Sequence, residues 1–288
     1  MAASLTFNSR HSFRTFVKFK VYSSLRKFSK DLVCVSKRDN LHLIAINRPE
    51  KRNCVNGNTA IQLKAAFQDF ESDQNASVAI LHGTGGTFCA GYDLKEVAAG
   101  NKIDLSINDG PMGPTRMKIT KPVIAAVDGH AVAGGFELAL WCDLRVVEET
   151  ATMGVFCRRF GVPLIDGGTV RLPRLIGLAR ALDLILTGRG ISGKEASEMG
   201  LVTKLCKKGE ALQSAISLAN DIAKFPQKGM NVDKNSTKEV VYDAHSLEEA
   251  FKIEINRAIP VLKDASLGAS KFFGQSKLKN SPEDTNKH

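Results

Sequence analysis

Two stretches of this chain carry the same order of residues, and that order restricts the fold more than any composition figure. In "SVAILHGTGGTFCAGYDLKE", residues 77–96, a short apolar run meets Gly83, Gly85, Gly86 and Gly91 before a predicted helix at Asp93. In "KPVIAAVDGHAVAGGFELALWCD", residues 121–143, a second apolar run meets Gly134 and Gly135, which open another predicted helix. A buried strand, a glycine turn and a helix, repeated about 40 residues later, is the building unit of an α/β fold with largely parallel sheets. Glycines let backbone N–H groups turn toward a ligand. The start of a helix also has unpaired N–H groups and the positive end of the dipole. Two such starts that converge offer two donors to one carbonyl oxygen, an oxyanion hole. Taken alone, the first stretch is not G-x-G-x-x-G and reads equally as an ordinary turn. Glu137, in the first turn of the second helix, reads as a dipole-complementing residue or as a reactive carboxylate.

The remaining chain fits around these units. "VCVSKRDNLHLIAINRP" gives two strands joined at Arg38-Asp39-Asn40 and stopped by Pro49. "NTAIQLKAAFQDFES" spaces Ile61, Leu63, Phe67 and Phe70 for a helix, and "LRVVEE" is a further strand. From Ile165 the pattern turns helical: "GLARALDLILTG", then "ISGKEASEMG" with a Ser192/Glu195 capping box, then "GEALQSAISLANDIAKF" ending at Pro226. The polar run "PQKGMNVDKNS" reads as a connection. A helical appendage is expected from about residue 235, with a second capping box at Ser246/Glu249.

Charge is unevenly placed. The net charge is +10, but Arg10, Arg14, Lys18, Lys20, Arg26, Lys27 and Lys30 supply seven of it before the first acid, leaving +3 from Asp31 onward. Residues 1–30 are basic, Ser-rich, acid-free and studded with Phe, the composition of a mitochondrial transit peptide. A retained basic tail is the other reading. Folding therefore begins near residue 31, and the small remaining charge, with no Lys/Arg-rich helix around 100–120, argues against nucleic acid as a partner. No apolar run reaches the roughly 18 to 20 residues of a membrane span. The six cysteines show no C-x-x-C and no zinc-ligand spacing, and H-E-x-x-H, G-x-S-x-G and a Walker loop are absent, so no metal is expected.

In combination, "NRPEKRN" (47–53), "FCAGYDLKE" (88–96), "KPVIAAVDGHAVAGGFELALWCDLRV" (121–146), "GVPLIDGGTVRLPRLIG" (161–177) and "LILTGRGISGKEASEMGLV" (184–202) resemble the enoyl-CoA hydratase/isomerase, or crotonase, superfamily. The resemblance covers residues 31–225. It implies an α/β fold, a crotonase-like spiral of repeated ββα units, with a C-terminal helical region at 226–288 that makes trimer contacts, often within a dimer of trimers. It implies that the backbone N–H groups of Tyr92 and Gly134 form the oxyanion hole. Coenzyme A, as part of the substrate and not as a separate cofactor, would lie against Arg52, Cys54, Tyr92, Asp93, Leu94, Lys95 and Gly134. Lys95 would meet a phosphate or remain a solvated charge. Glu137 matches the first of two catalytic glutamates of the hydratases.

The chain departs from the pattern at the second glutamate, where Cys157 stands in "MGVFCRRFG". Hydration needs one group to activate water and one to supply the α-proton, and a thiol titrating near 8.5 is a poor substitute. The next carboxylate is Asp166, a catalytic partner for Glu137 or a cap of the helix that follows. Arg158 and Arg159 would pair with Asp166 or hold coenzyme A. Met112, Leu105 and Ile107, in the 97–120 loop, would line an acyl pocket or anchor a surface loop. The implied activity is acyl-CoA processing in the mitochondrial matrix, foremost hydration of 2-enoyl-CoA with the oxyanion hole stabilising the thioester enolate. Double-bond isomerisation, a decarboxylase-like reaction and silent CoA-thioester binding are the alternatives.

Overall fold

The computed structural model describes residues 31–100, 110–263 and 270; the leader, Leu105 and Ile107 lie outside the described residues. In chain order the first elements are β1 (Val33–Arg38), β2 (Leu41–Ile46), α1 (Gly57–Ser72), β3 (Val78–Gly83), α2 (Leu94–Ala98), β4 (Val123–Val127), β5 (His130–Val132) and α3 (Gly134–Trp141). There follow β6 (Leu144–Glu148), β7 (Thr152–Gly154), α4 (Gly168–Ile176), α5 (Leu178–Thr187), β8 (Gly190–Ser192), α6 (Gly193–Glu198) and β9 (Lys204–Cys206). Helices α7 (Ala211–Ala223), α8 (Gln227–Asp243) and α9 (Leu247–Ala258) follow among the described residues.

The larger sheet has the order β1-β2-β3-β4-β6-β9 and is parallel apart from the β1–β2 hairpin. That hairpin turns at Asp39, φ +51°, a conformation short Asp side chains tolerate better than most. The apolar runs of β2, β3 and β4 are continuous because both faces are covered, as parallel strands require. Alternate residues go to opposite sides. Ile44, Ile46, Leu81 and Val127 face one core with Phe67 and Phe70 of α1, while Leu43, Ile80 and Ile124 face Ala215 and Ala219 of α7. Burying each large side chain is worth roughly 1.5–3 kcal/mol, so these two layers hold the strand ends where the glycine turns emerge. The smaller sheet, β5-β7-β8, stands at those turns.

Helix α8 is a correction. The polar run from Pro226 is not a connection but the start of a 17-residue helix with only Ser236 buried. Polar contacts rather than an apolar stripe seat it. The Lys234 ammonium donates to the carbonyls of Ile119 (2.7 Å) and Lys121 (2.9 Å) and lies 3.4 Å from Asp143, which also pairs with Lys238. The capping boxes are half realised. Ser192 and Ser246 accept from the N–H groups of Glu195 and Glu249, but Glu195 turns to Arg189 and Glu249 accepts from the His245 N–H.

Two apolar faces point outward from this single chain. Leu247, Phe251 and Ile255 lie four residues apart on α9, each more than half exposed, and Leu178, Leu182 and Leu186 form a similar row on α5.

Candidate active site

The segment before α2 runs beside β5 and joins the two glycine turns. Phe88 N–H donates to Asp128 (2.8 Å), Cys89 N–H to His130 (2.9 Å), and Val132 N–H back to Cys89 (3.1 Å). Gly91 makes the approach possible. A β-carbon there would stand 2.9 Å from that of Ala133 and 3.1 Å from the Gly134 nitrogen, and its φ is +101°. On its other side Val55 N–H donates to Gly91 O (2.9 Å) and Asp93 N–H to Val55 O (2.8 Å). Because strand residues alternate, that pairing leaves the intervening Tyr92 N–H facing away from Val55. Ala133, with φ +51° and ψ −127°, makes the matching turn at the start of α3. Such a backbone is strained for any residue with a side chain, and strain of this kind collects at functional sites. Among the described residues neither the Tyr92 nor the Gly134 N–H has an acceptor. Both residues line one cavity of about 450 Å³.

Of the residues predicted for coenzyme A, Arg52, Cys54, Tyr92, Leu94 and Gly134 line that cavity, whereas Asp93 and Lys95 do not. Asp93 caps α2, accepting from Lys95 N–H (3.2 Å), and holds the Arg48 guanidinium at 3.0 Å. Lys95 is exposed. Asn53 is the residue sequence reasoning passed over. It is fully buried with φ +55°, donates to Thr84 O (2.8 Å) and Thr87 O (2.6 Å), and accepts from Arg48 N–H (2.9 Å). It thus ties the "PEKRN" turn to the first glycine turn. Tyr92 is steadied by its hydroxyl, which donates to Glu96 at 3.0 Å.

Glu137 projects from the first turn of α3 into the same cavity and is 3% exposed. Its Oε1 accepts from the N–H groups of Asp166 (2.9 Å) and Gly168 (2.7 Å). A β-carbon on Gly168 would come within 3.0 Å of that oxygen. Burial, and next the neighbouring Asp166 carboxyl, push Glu137 up to about 7, against the pull of the two N–H donors. A carboxyl so placed exchanges a proton readily near neutral pH.

Asp166 also lines the cavity, and the helix-cap reading fails for it: Gly167 precedes α4 with no side-chain cap. Instead Asp166 Oδ1 accepts from Met112 N–H (3.0 Å) and from the Thr115 hydroxyl. Burial raises its pKa above the ordinary carboxylate range. Neither Arg158 nor Arg159 pairs with Asp166: they donate to the carbonyls of Ile185 and Gly188, and Arg159, stacked 3.5 Å over Phe156, lines the cavity. It is Arg171 that braces this corner, donating to Asp166 O (2.8 Å) and Thr115 O (2.5 Å). Met112 is fully buried beneath Gly134 rather than lining the cavity. Cys157 lines it, in a one-turn helix at Phe156–Phe160.

Two carboxyls and two unpaired N–H groups around an apolar cavity suit proton transfer beside a polarised carbonyl, and the chain is similar in sequence and fold to known enoyl-CoA hydratases. The sequence profile described as "Enoyl-CoA hydratase/isomerase" matches residues 36–275. "Enoyl-CoA hydratase EchA19" of Mycobacterium tuberculosis is 34% identical over 254 residues, spanning 85% of this chain and 94% of that protein. "Probable enoyl-CoA hydratase, mitochondrial" of Dictyostelium discoideum is 33% identical over 219 residues, 76% of this chain and 78% of that one. A crystal structure of an enoyl-CoA hydratase from Mycobacterium tuberculosis superposes with a TM-score of 0.80 at 38% identity, covering 85% of this chain and 96% of that one. The fold is crotonase-like, and the chain belongs to the enoyl-CoA hydratase/isomerase family as an acyl-CoA-processing enzyme.

Proposed function

We propose that this chain adds water across the double bond of 2-enoyl-CoA thioesters. The thioester oxygen sits between the N–H groups of Tyr92 and Gly134, which stabilise negative charge as the enolate develops. Coenzyme A runs past Arg52, Cys54 and Leu94 at the cavity wall. Asp93 shapes this wall through Arg48, and Lys95, on the exposed face of α2, meets a phosphate. Glu137 is the principal acid/base group and Asp166 its partner, replacing the second glutamate of the hydratases. Coenzyme A arrives as part of the substrate, and the proton transfers need no further group. The observation that carries this reading is the buried Glu137 carboxyl opening onto the same cavity as the two N–H groups that have no acceptor.

Double-bond isomerisation is the second reading, favoured by one specific observation: the cavity wall carries the thiol of Cys157 where the hydratases carry their second glutamate. One carboxyl is enough to shuttle a proton between the α- and γ-carbons. Incubating the protein with a panel of enoyl-CoA thioesters, following both water addition and double-bond migration, separates the readings. Water addition without migration supports hydration, migration alone supports isomerisation, and binding with neither establishes a silent binder. The exposed rows on α5 and α9 fit a trimer or dimer of trimers. The acid-free basic leader supports delivery to the mitochondrial matrix.

A further inference from the structure

The cavity holds a thiol that hydration does not use. Cys157 is 6% exposed and lines the cavity together with Glu137 and Gly134. The other buried cysteines have settled partners. Cys89 faces Gly91 O at 4.0 Å, Cys142 donates to Leu138 O at 3.4 Å, and Cys206 to Val147 O at 3.4 Å. None of these three lines the cavity. Cys157 Sγ makes no hydrogen bond to another side chain among the described residues, and the backbone N–H groups of Cys157 and Arg158 lie beside it. It is a thiol more than nine-tenths buried that lines the space where an acyl chain would lie. Glu137 shares that space, with Oε1 occupied by two N–H donors and Oε2 accepting from no described residue.

We propose that Cys157 is a covalent addition site for 2-enoyl-CoA thioesters, an inference that rests on the hydration reading of the same cavity. The thioester's double bond is conjugated to its carbonyl, so the β-carbon is electrophilic. Sγ forms a bond to that carbon while its S–H bond breaks and the proton passes to Glu137. The π electron pair moves through the α-carbon onto the carbonyl oxygen, which the N–H groups of Tyr92 and Gly134 hold. Glu137 then returns the proton to the α-carbon and the carbonyl re-forms. The sum is addition of S–H across the double bond: nothing leaves, nothing is oxidised, and a saturated CoA thioester remains joined to the protein by a thioether. The site is then blocked until β-elimination reverses the steps.

The resting thiol is not a general nucleophile. Burial, and after it the Glu137 charge, raise its pKa, so it stays protonated near neutral pH, and thiols react as thiolates. Reaction therefore depends on a ligand that brings its carbonyl into the oxyanion hole and its β-carbon to sulfur. An unsubstituted β-carbon is the least hindered, which makes acryloyl-CoA the probe of choice and propionyl-CoA, with no double bond, its control.

The test is intact mass and peptide mapping of the full chain after incubation with either thioester, with hydration followed in the same samples. One acryloyl-CoA per chain, mapped to Cys157, is expected, with none from propionyl-CoA and none in Cys157→Ser. In Glu137→Gln the adduct should form at least about 100-fold more slowly. Cys34→Ser, at an exposed cysteine remote from the cavity lining, should change neither adduct nor hydration. Hydration without an adduct, or an adduct mapped to Cys34 or Cys54 instead, overturns the proposal and spares the hydratase reading. An adduct at Cys157 without hydration does the reverse, and the absence of both overturns both.

Discussion

Replacing Glu137 by glutamine should make the protein more stable and nearly inactive at once. The carboxyl is held at about 7 rather than its ordinary 4.5, first by burial and then by Asp166. The folded value lies above the unfolded one, so between the two the folded chain binds more protons, and stability falls as pH rises. At about 1.36 kcal/mol per pH unit, the full penalty is roughly 3 kcal/mol above pH 7 and vanishes below about 4.5. Glutamine keeps a carbonyl oxygen for the N–H groups of Asp166 and Gly168 and carries no charge. Glu137→Gln is therefore expected to gain roughly 2–3 kcal/mol at about pH 8, and the gain should shrink toward zero near pH 5. Hydration should fall at least about 100-fold. Urea unfolding at several pH values and one fixed protein concentration reads the first effect, since self-association would otherwise shift the midpoint. A variant no more stable than the parent at about pH 8, or a gain independent of pH, would refute the reasoning that burial strains this carboxyl.

Three further outcomes follow from the same geometry. Ala133→Gly should relieve the φ +51° backbone and raise stability by about 1 kcal/mol with little change in rate, as read by thermal unfolding; a loss of stability would show that the turn is unstrained. Gly134→Pro removes one oxyanion donor and should cost about 100- to 1000-fold in turnover, provided circular dichroism shows a folded variant; full activity would take Gly134 out of the site. Asp166→Asn preserves an acceptor for Met112 and Thr115 but not the titratable proton, so a drop of about 100-fold in hydration identifies Asp166 as a reacting carboxyl, whereas an unchanged rate reduces it to an anchor for residues 110–115.

Much of the framework was legible because it follows from local chemistry. The runs in β2, β3 and β4 announce buried strands, the glycines at 91 and 135 mark where backbones must nearly touch, and Gly134 leaves room for the Met112 side chain. What stayed hidden depends on distant partners. Asp166 precedes a helix and so reads as a cap, but its partners, Met112 and Thr115, lie more than fifty residues earlier. Asn53 was visible inside "NRPEKRN", yet its bonds to Thr84 and Thr87 appear only once the two turns are side by side. Helix α8 was missed because it is seated by Lys234 and Asp143, an arrangement with no apolar period to detect. Asp93 and Lys95 were grouped with their cavity-lining neighbours, although they sit at the start of α2, where side chains quickly diverge from one face.

The central claim is that Glu137 and the Tyr92/Gly134 N–H pair together add water to a bound enoyl thioester, and heavy water tests it most directly. The protein is incubated with crotonyl-CoA in deuterium oxide, and the product is analysed by mass spectrometry and NMR. The account predicts a 3-hydroxyacyl-CoA carrying one non-exchangeable deuterium at the α-carbon, formed fastest once Glu137 is ionised above about pH 7 and lost in Glu137→Gln. Recovery of unchanged crotonyl-CoA, or of a thioester with a shifted double bond and no added water, would contradict it.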